Sequence, residues 1–227
     1  MSRSRVVVAI DGPAGAGKST VAQGVADRLG FVRVDTGALY RGLALRAREE
    51  GIPWDDGEQL GAFARTLKLE FAATPAGPRL LIDGVDREDE LRNPDVAGGA
   101  SLVSGHPPVR AALLDVQREL GADGGVVLEG RDIGTVIFPD AEVKVFLTAS
   151  AEARAERRLK DLKARGTEAD YESLLTAIQE RDARDSGREA APLKPAEDAT
   201  HVDSTQKSFE EVVSAITELA QSASRGC

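Results

Sequence analysis

The stretch IDGPAGAGKST, Ile10 to Thr20, continues the apolar run Val6 to Ile10. Its spacing, Gly12-x-x-x-x-Gly17-Lys18-Ser19, is that of a loop whose consecutive backbone N–H groups turn inward around a polyphosphate. Side chains would block that approach, and Pro13, Ala14, Gly15 and Ala16 are all small or cyclic. Lys18 is suited to reach the outer phosphates, and the Ser19 hydroxyl to sit on Mg²⁺, with Asp35 as a second candidate ligand. A helix starting near Thr20 would turn its positive dipole end toward the anion. A turn that merely needs glycine is the plain alternative. Context argues against it, because the pattern lies between a β-branched strand and a helical stretch, Thr20 to Leu29, closed by Gly30.

Arginines form a second set of candidates. The segment RAERRLKDLKAR, Arg154 to Arg165, holds six cationic and two acidic residues in a chain whose formal net charge is −9. It reads either as a lid over phosphates, residues 152 to 168, or as a solvated helix face laced with ion pairs. Within it Arg157 is a candidate donor contact and Arg158 a candidate catalytic cation. In ERDARDSGR, Arg181, Asp185 and Arg188 stand at i, i+4 and i+7, within about 60° on one helical face if the helix continues past Gly187. Such a stripe is either a surface ion-pair ladder or a seat for a sugar hydroxyl between phosphate-binding guanidiniums.

Short apolar runs recur between helical stretches: Val6 to Ile10, Phe31 to Val34, Val126 to Leu128, Val143 to Leu147 and His201 to Val202. This alternation implies an α/β fold with a parallel sheet covered by helices, in which ligands gather at the carboxyl ends of the strands. Four of those ends carry polar clusters: Gly12 to Thr20, Asp35-Thr36-Gly37, Glu129-Gly130-Arg131-Asp132 and Asp203-Ser204-Thr205. Residues 67 to 101 break the rhythm. LKLEF alternates in period two, TPAGP reads as a turn, and RLLIDGV reads as a returning strand, so an antiparallel insertion is expected. REDELRNPDV predicts a short acidic helix followed by a second with Pro94 near its start, and Ser208 with Glu211 forms a capping box for the last helix.

With 227 residues and 41% hydrophobic content, the chain has the size and composition of one globular unit. No apolar run approaches the roughly 20 residues of a membrane helix, and MSRSR leads into a strand rather than a signal sequence. The single cysteine, Cys227, allows no internal disulfide or cysteine cluster, and the acidic balance disfavours a nucleic-acid surface. A cytoplasmic monomer with neither membrane nor nucleic-acid partners is expected.

The phosphate loop, DTGALYR (35 to 41), EGRDIGTVIFPDA (129 to 141) and ERDARDSGR (180 to 188) together resemble the bacterial cytidylate kinases. The resemblance implies a P-loop kinase three-layer fold with a small α+β insertion for the monophosphate, residues 38 to 105, and a short Arg-rich lid. It also implies transfer of the γ-phosphate of ATP to CMP or dCMP with Mg²⁺. ATP would lie along Gly12 to Thr20 and Arg157, with Lys18, Arg131, Arg158 and Arg188 as catalytic cations. Around the acceptor it places Arg41, Arg131 and Arg188 at the phosphate, Ser101, Arg110 and Asp132 at cytosine, Arg181 and Asp185 at the ribose, and Thr36 and Tyr40 nearby. The segment before Ser101, VAGGAS, is less polar than the resemblance leads one to expect, and two glycines weaken a helix there. Rival readings are a kinase for uridylate, thymidylate or a metabolite such as shikimate, a GTPase-type switch, and a non-catalytic nucleotide binder.

Overall fold

The structure, a computed structural model, describes residues 5–72, 74, 77–164 and 166–225. MSRS at the start, Pro75 and Ala76 of the expected turn, Arg165 and Cys227 lie outside the described residues.

Five strands, β1 (Val7–Asp11), β2 (Val32–Asp35), β6 (Val126–Gly130), β7 (Val143–Thr148) and β8 (Thr200–Asp203), form one parallel sheet in the order β2-β6-β1-β7-β8. β1 is central and wholly buried, which explains its unbroken apolar run: both faces of a parallel strand are covered by helices. Val6, Val8 and Ile10 pack on one side with helices α1 (Lys18–Leu29) and α9 (Phe209–Ser224). Val7 and Ala9 pack on the other with Val34, Leu128 and a π-helical turn, Ile133–Ile137. The expected capping box of the last helix is present, Ser208 with Glu211.

β1 and β2 each run one residue beyond the expected apolar stretch, to Asp11 and Asp35, because the sheet ladder continues through those carboxylates. Helix α1 starts at Lys18, two residues before Thr20, since Gly17 at φ 89° turns the loop directly into it.

The insertion has its own core. Helices α2 (Gly37–Glu49), α3 (Gly57–Ala64), α4 (Glu88–Leu91), α5 (Pro94–Val103) and α6 (Pro107–Glu119) surround Leu39, Leu43, Leu60, Leu80, Ile82, Leu91 and Leu113, so this cluster reaches past residue 105. Its sheet is antiparallel, β3 (Leu69–Ala72), β4 (Arg79–Ile82) and β5 (Val85–Asp86) in that order. RLLIDGV is therefore not one returning strand. Asp83 and Gly84, at φ 52° and 81°, make a two-residue hairpin turn, which this Asp-Gly pair favours because both positions need positive φ.

Of the two glycines of VAGGAS, Gly99 has a packing reason, whereas a Cβ on Gly98 would meet open space. A Cβ on Gly99 would stand 2.6 Å from the Trp54 ring, so α5 keeps its helix and gains a tightly seated indole. Gly12 is more constrained still: at φ 151° its missing Cβ would fall 2.0 Å from the Leu147 carbonyl oxygen. Gly12→Ala should therefore force β1 and β7 apart where the phosphate loop begins. The expected loss is about 2 kcal/mol or more in urea unfolding, together with weakened polyphosphate binding.

Candidate active site

Three of the four polar strand ends meet in one cavity. It is lined by Ala14, Gly15, Lys18 and Ser19 from the phosphate loop, Asp35, Thr36 and Gly37 after β2, and Glu129 to Asp132 after β6. The reason is strand order, which sets β6 between β1 and β2. The fourth cluster does not join them. Ser204 accepts from Arg157 and donates to the Thr148 carbonyl behind the loop, while Asp203 is held by Thr205.

Lys18 is buried and its Nζ donates to the Pro13 carbonyl at 2.8 Å. Burial and the neighbouring Arg131 charge lower its pKa to about 7. Beside it the Ser19 hydroxyl donates to Glu129 Oε2 at 2.7 Å, and the buried Glu129 Oε1 has the Arg33 guanidinium at 3.5 Å but no hydrogen bond among the described residues. Burial, and then the charge of Asp35, push the Glu129 carboxyl up to about 7. Burial works the same way on Asp35, but Arg41 at 2.8 Å overrides it and holds that carboxyl below its ordinary value.

The other side of the cavity is built from helix α8 (Tyr171–Ser186), Arg188 beyond it, and the loop after β6. Asp185, buried to 1%, accepts from Arg131 Nε at 3.0 Å, from Ser101 Oγ at 3.4 Å and from the Arg188 guanidinium, with Arg181 Nε 3.9 Å away. These guanidiniums hold its carboxyl below the ordinary value against the effect of burial. Burial and repulsion from Arg131 lower Arg181 to about 10, and its buried Nε has no hydrogen-bond partner among the described residues. Helix α8 ends before Gly187, so Arg188 reaches Asp185 from the following turn and not from a continued helical face. That corrects the expected stripe; the convergence survives because the chain folds back, with Leu193 N donating to the Asp185 carbonyl.

At the far end Arg110 is paired with Asp132, donates to the Ser104 carbonyl at 3.1 Å, and lies 5.6 Å from the centre of the Tyr40 ring. Tyr40 is both cavity wall and core. Ser101 is buried behind the wall rather than on it, whereas Thr36 lines it and donates to the Glu129 carbonyl at 2.9 Å. Among the expected donor contacts, Thr20 faces solvent and Gly12, Pro13, Ala16 and Gly17 shape the loop without lining the cavity. Arg157 and Arg158, on helix α7 (Ala151–Ala164), also stand outside it; Arg158 is exposed.

The cavity thus sets six cationic groups, Lys18, Arg41, Arg110, Arg131, Arg181 and Arg188, against four carboxylates, Asp35, Glu129, Asp132 and Asp185. Such a surplus of cations over carboxylates in one cavity suits anionic ligands. The cytidylate kinase model matches residues 8–222. A cytidylate kinase of Geobacter sp. (strain M21) is 51% identical over 92% of this chain and 89% of its own. One of Pseudomonas savastanoi pv. phaseolicola is 49% identical over 97% and 96%. The chain belongs to the cytidylate kinase family. A solved structure of an uncharacterized protein from Eubacterium ventriosum, 11% identical, matches 96% of this chain and 99% of its own with a TM-score of 0.53, a likeness of fold alone.

Sequence reasoning left two residues of this site unassigned. Glu129 was visible only as one polar residue at a strand end. Asp11 closes β1 as if part of the phosphate loop, yet its buried carboxylate accepts from the N–H groups of Ile133 and Gly134, both at 2.8 Å. It thereby anchors the π-helical turn that follows Arg131 and Asp132. Burial raises its pKa to about 6 in spite of those two donors.

Proposed function

We infer that this protein transfers the γ-phosphate of ATP to CMP or dCMP, giving ADP with CDP or dCDP. The observation that carries the reading, alongside the family, is the order of groups along one cavity: phosphate loop, arginine cluster, then the Arg110–Asp132 pair. An acceptor phosphate has a second pKa of about 6, so it is largely dianionic at neutral pH and needs no general base. The catalytic task is to hold two polyanions in line and stabilise the charge as it shifts. Lys18 and the loop N–H groups serve the donor, Arg41 and Arg188 the acceptor phosphate, and Arg131 stands between them. The residues suit Mg²⁺, which takes one or two carboxylates and leaves its other positions to phosphate oxygens and water: the Ser19 hydroxyl, Glu129 Oε1, which has the Arg33 guanidinium at 3.5 Å but no hydrogen bond, and Asp35 would hold it. When bound, it neutralises phosphate charge. Closure of the part of residues 152–168 beyond the buried Arg154 over the donor phosphates, bringing Arg158 inward, belongs to this reading because it would keep water from the phosphoryl group.

Cytosine offers an N4 amino donor where uracil presents an acceptor, so a carboxylate at Asp132 selects between them, and Arg110 suits the O2 and N3 acceptors. The GTPase reading fails on its one candidate: Asn93, the only asparagine, accepts from Asp95 N and caps α5. The decisive experiment is a coupled ADP-release assay across CMP, dCMP, UMP, AMP and shikimate. Rates with CMP no higher than with shikimate would overturn the assignment. In the same assay Asp132→Asn, which can donate to uracil, should lower the CMP preference over UMP about tenfold or more.

A further inference from the structure

Arg154 was expected among the cations of a lid, but it is the buried member of that group. Its side chain is 5% exposed at the base of α7, and its guanidinium binds both halves of the site. Nη1 donates to the carbonyl of Ala14 at the tip of the phosphate loop, 3.1 Å, and to Asp182 Oδ1, 3.0 Å. Nη2 donates to Asp182 Oδ2 at 2.6 Å, and Nε to the Ala149 carbonyl at 2.9 Å. The aliphatic stem runs under the loop as well, within 3.8 Å of where a Cβ on Gly15 would stand.

We propose that Arg154 is a positioning residue that ties the donor phosphate loop to the acceptor helix α8, so that neither side of the site is correctly set without the other. This rests on the kinase reading only for its acceptor half. The donor half follows from peptide geometry: in a trans peptide the C=O and N–H point in opposite directions. The Arg154 bond to the Ala14 carbonyl therefore turns the Gly15 N–H away from Arg154, and Gly15 lines the cavity. The acceptor half follows from the helix. Asp182 lies next to Arg181 and one turn before Asp185, so the bidentate pair with Arg154 fixes the rotation of α8 that presents both to the cavity. Arginine is required at this position because a planar fork can satisfy a carboxylate bidentately and still reach a carbonyl, whereas an ammonium acts as a point charge.

The test uses Arg154→Ala, Arg154→Lys, Asp182→Asn and the double variant Arg154→Lys/Asp182→Asn, with ADP affinity by calorimetry and steady-state kinetics with ATP and CMP. Both Arg154 variants should bind ADP about 10- to 100-fold more weakly, although Arg154 lies behind the loop and not in the cavity, since displacement by about 1 Å costs that order of effect. Asp182→Asn, half of whose amide still accepts, should raise the KM for CMP more than that for ATP. The double variant should be no worse than Arg154→Lys alone, as expected when two groups act as one unit. If Arg154→Ala does not fold, Arg154→Lys and the more exposed Asp182→Asn give the same comparison. Lowered thermal stability with unchanged ADP affinity and unchanged KM values would overturn the proposal and leave a purely structural ion pair, as would additive effects in the double variant. A wild-type protein inactive toward CMP would sink the kinase reading but leave the ADP arm of this test intact.

Discussion

Lys18→Met should lose turnover and gain stability in the same protein. The side chain is buried and its ammonium is desolvated beside Arg131, which brings its pKa down from 10.5 to about 7. Removing one preorganised cation from the donor phosphates should cost on the order of 2.7 to 4 kcal/mol in barrier, roughly 100- to 1000-fold in kcat. Stability should move the other way. A lysine whose folded pKa lies below its unfolded value contributes stability that is present above the unfolded value and lost as pH falls through the folded one. Here that window runs from about 10.5 down to about 7. At pH 7 and below, the wild-type protein without nucleotide therefore bears the cost of a buried charge that methionine lacks. The variant should melt several degrees higher there, given about 2–4 °C per kcal/mol at this size, and the difference should vanish near pH 10.5. Nucleotide binding should also take up a proton near pH 8, because a polyphosphate favours the charged amine. Calorimetry in buffers of different ionisation enthalpy would show this, and Lys18→Met should reduce it, leaving only the share taken up by the Glu129 carboxyl. A variant with near-normal rate at saturating ATP would contradict the role of the loop lysine, and one that melts lower at pH 7 would contradict the desolvation argument.

Asp185→Ala should produce the largest structural loss of any single change in the site. Its carboxylate is bonded by Arg131, Arg188 and Ser101, with Arg181 within 3.9 Å, and its removal leaves three guanidiniums without their shared counterion. Breaking one partner out of a buried ionic cluster costs about 3–5 kcal/mol, which is on the order of 10 °C in melting temperature for a chain of this length. The sign with ligand is reversed. A phosphate-bearing ligand can neutralise the freed arginines, so sulfate or CMP should restore more of the lost stability than it adds to the wild-type protein. In kinetics the loss should fall alike on CMP and dCMP, because both Asp185 oxygens are engaged by protein donors. A loss confined to CMP would mean that the carboxylate instead reads the 2′-hydroxyl, since a site built around that group rejects the analogue lacking it.

What could be read from the chain alone was whatever depends on short spacing. The phosphate loop is a run of backbone N–H groups, and Gly12, Gly17, Lys18 and Ser19 declare it because each atom involved lies within eight residues. The alternation of β-branched runs and amphipathic helices gave the α/β class for a similar reason, as periodicities of 2 and 3.6 are local properties. Asp185 with Arg181 was legible as one helical turn, whereas the place of Arg188 was not, because Gly187 ends the helix and only the returning chain decides where the next residue lands. The Asp-Gly pair lies inside an otherwise apolar run that reads as strand, and only the left-handed backbone at Asp83 and Gly84 shows it to be a turn.

The tertiary structure decided how the polar residues share the work. Sheet order alone brings Ser19 to Glu129, 110 positions apart, and Arg154 to Ala14, 140 apart. Whether a carboxylate serves as a ligand or a brace depends on which donors reach it. Asp11 at the end of β1 is spent on the N–H groups of Ile133 and Gly134, whereas Glu129 at the end of the neighbouring strand keeps one oxygen without a hydrogen bond among the described residues. Along RAERRLKDLKAR the six cations are equivalent as sequence. Burial separates them physically: Arg154 faces inward at the base of α7 and must find partners for its guanidinium there, while Arg158 one turn later faces solvent and can leave its charge to water.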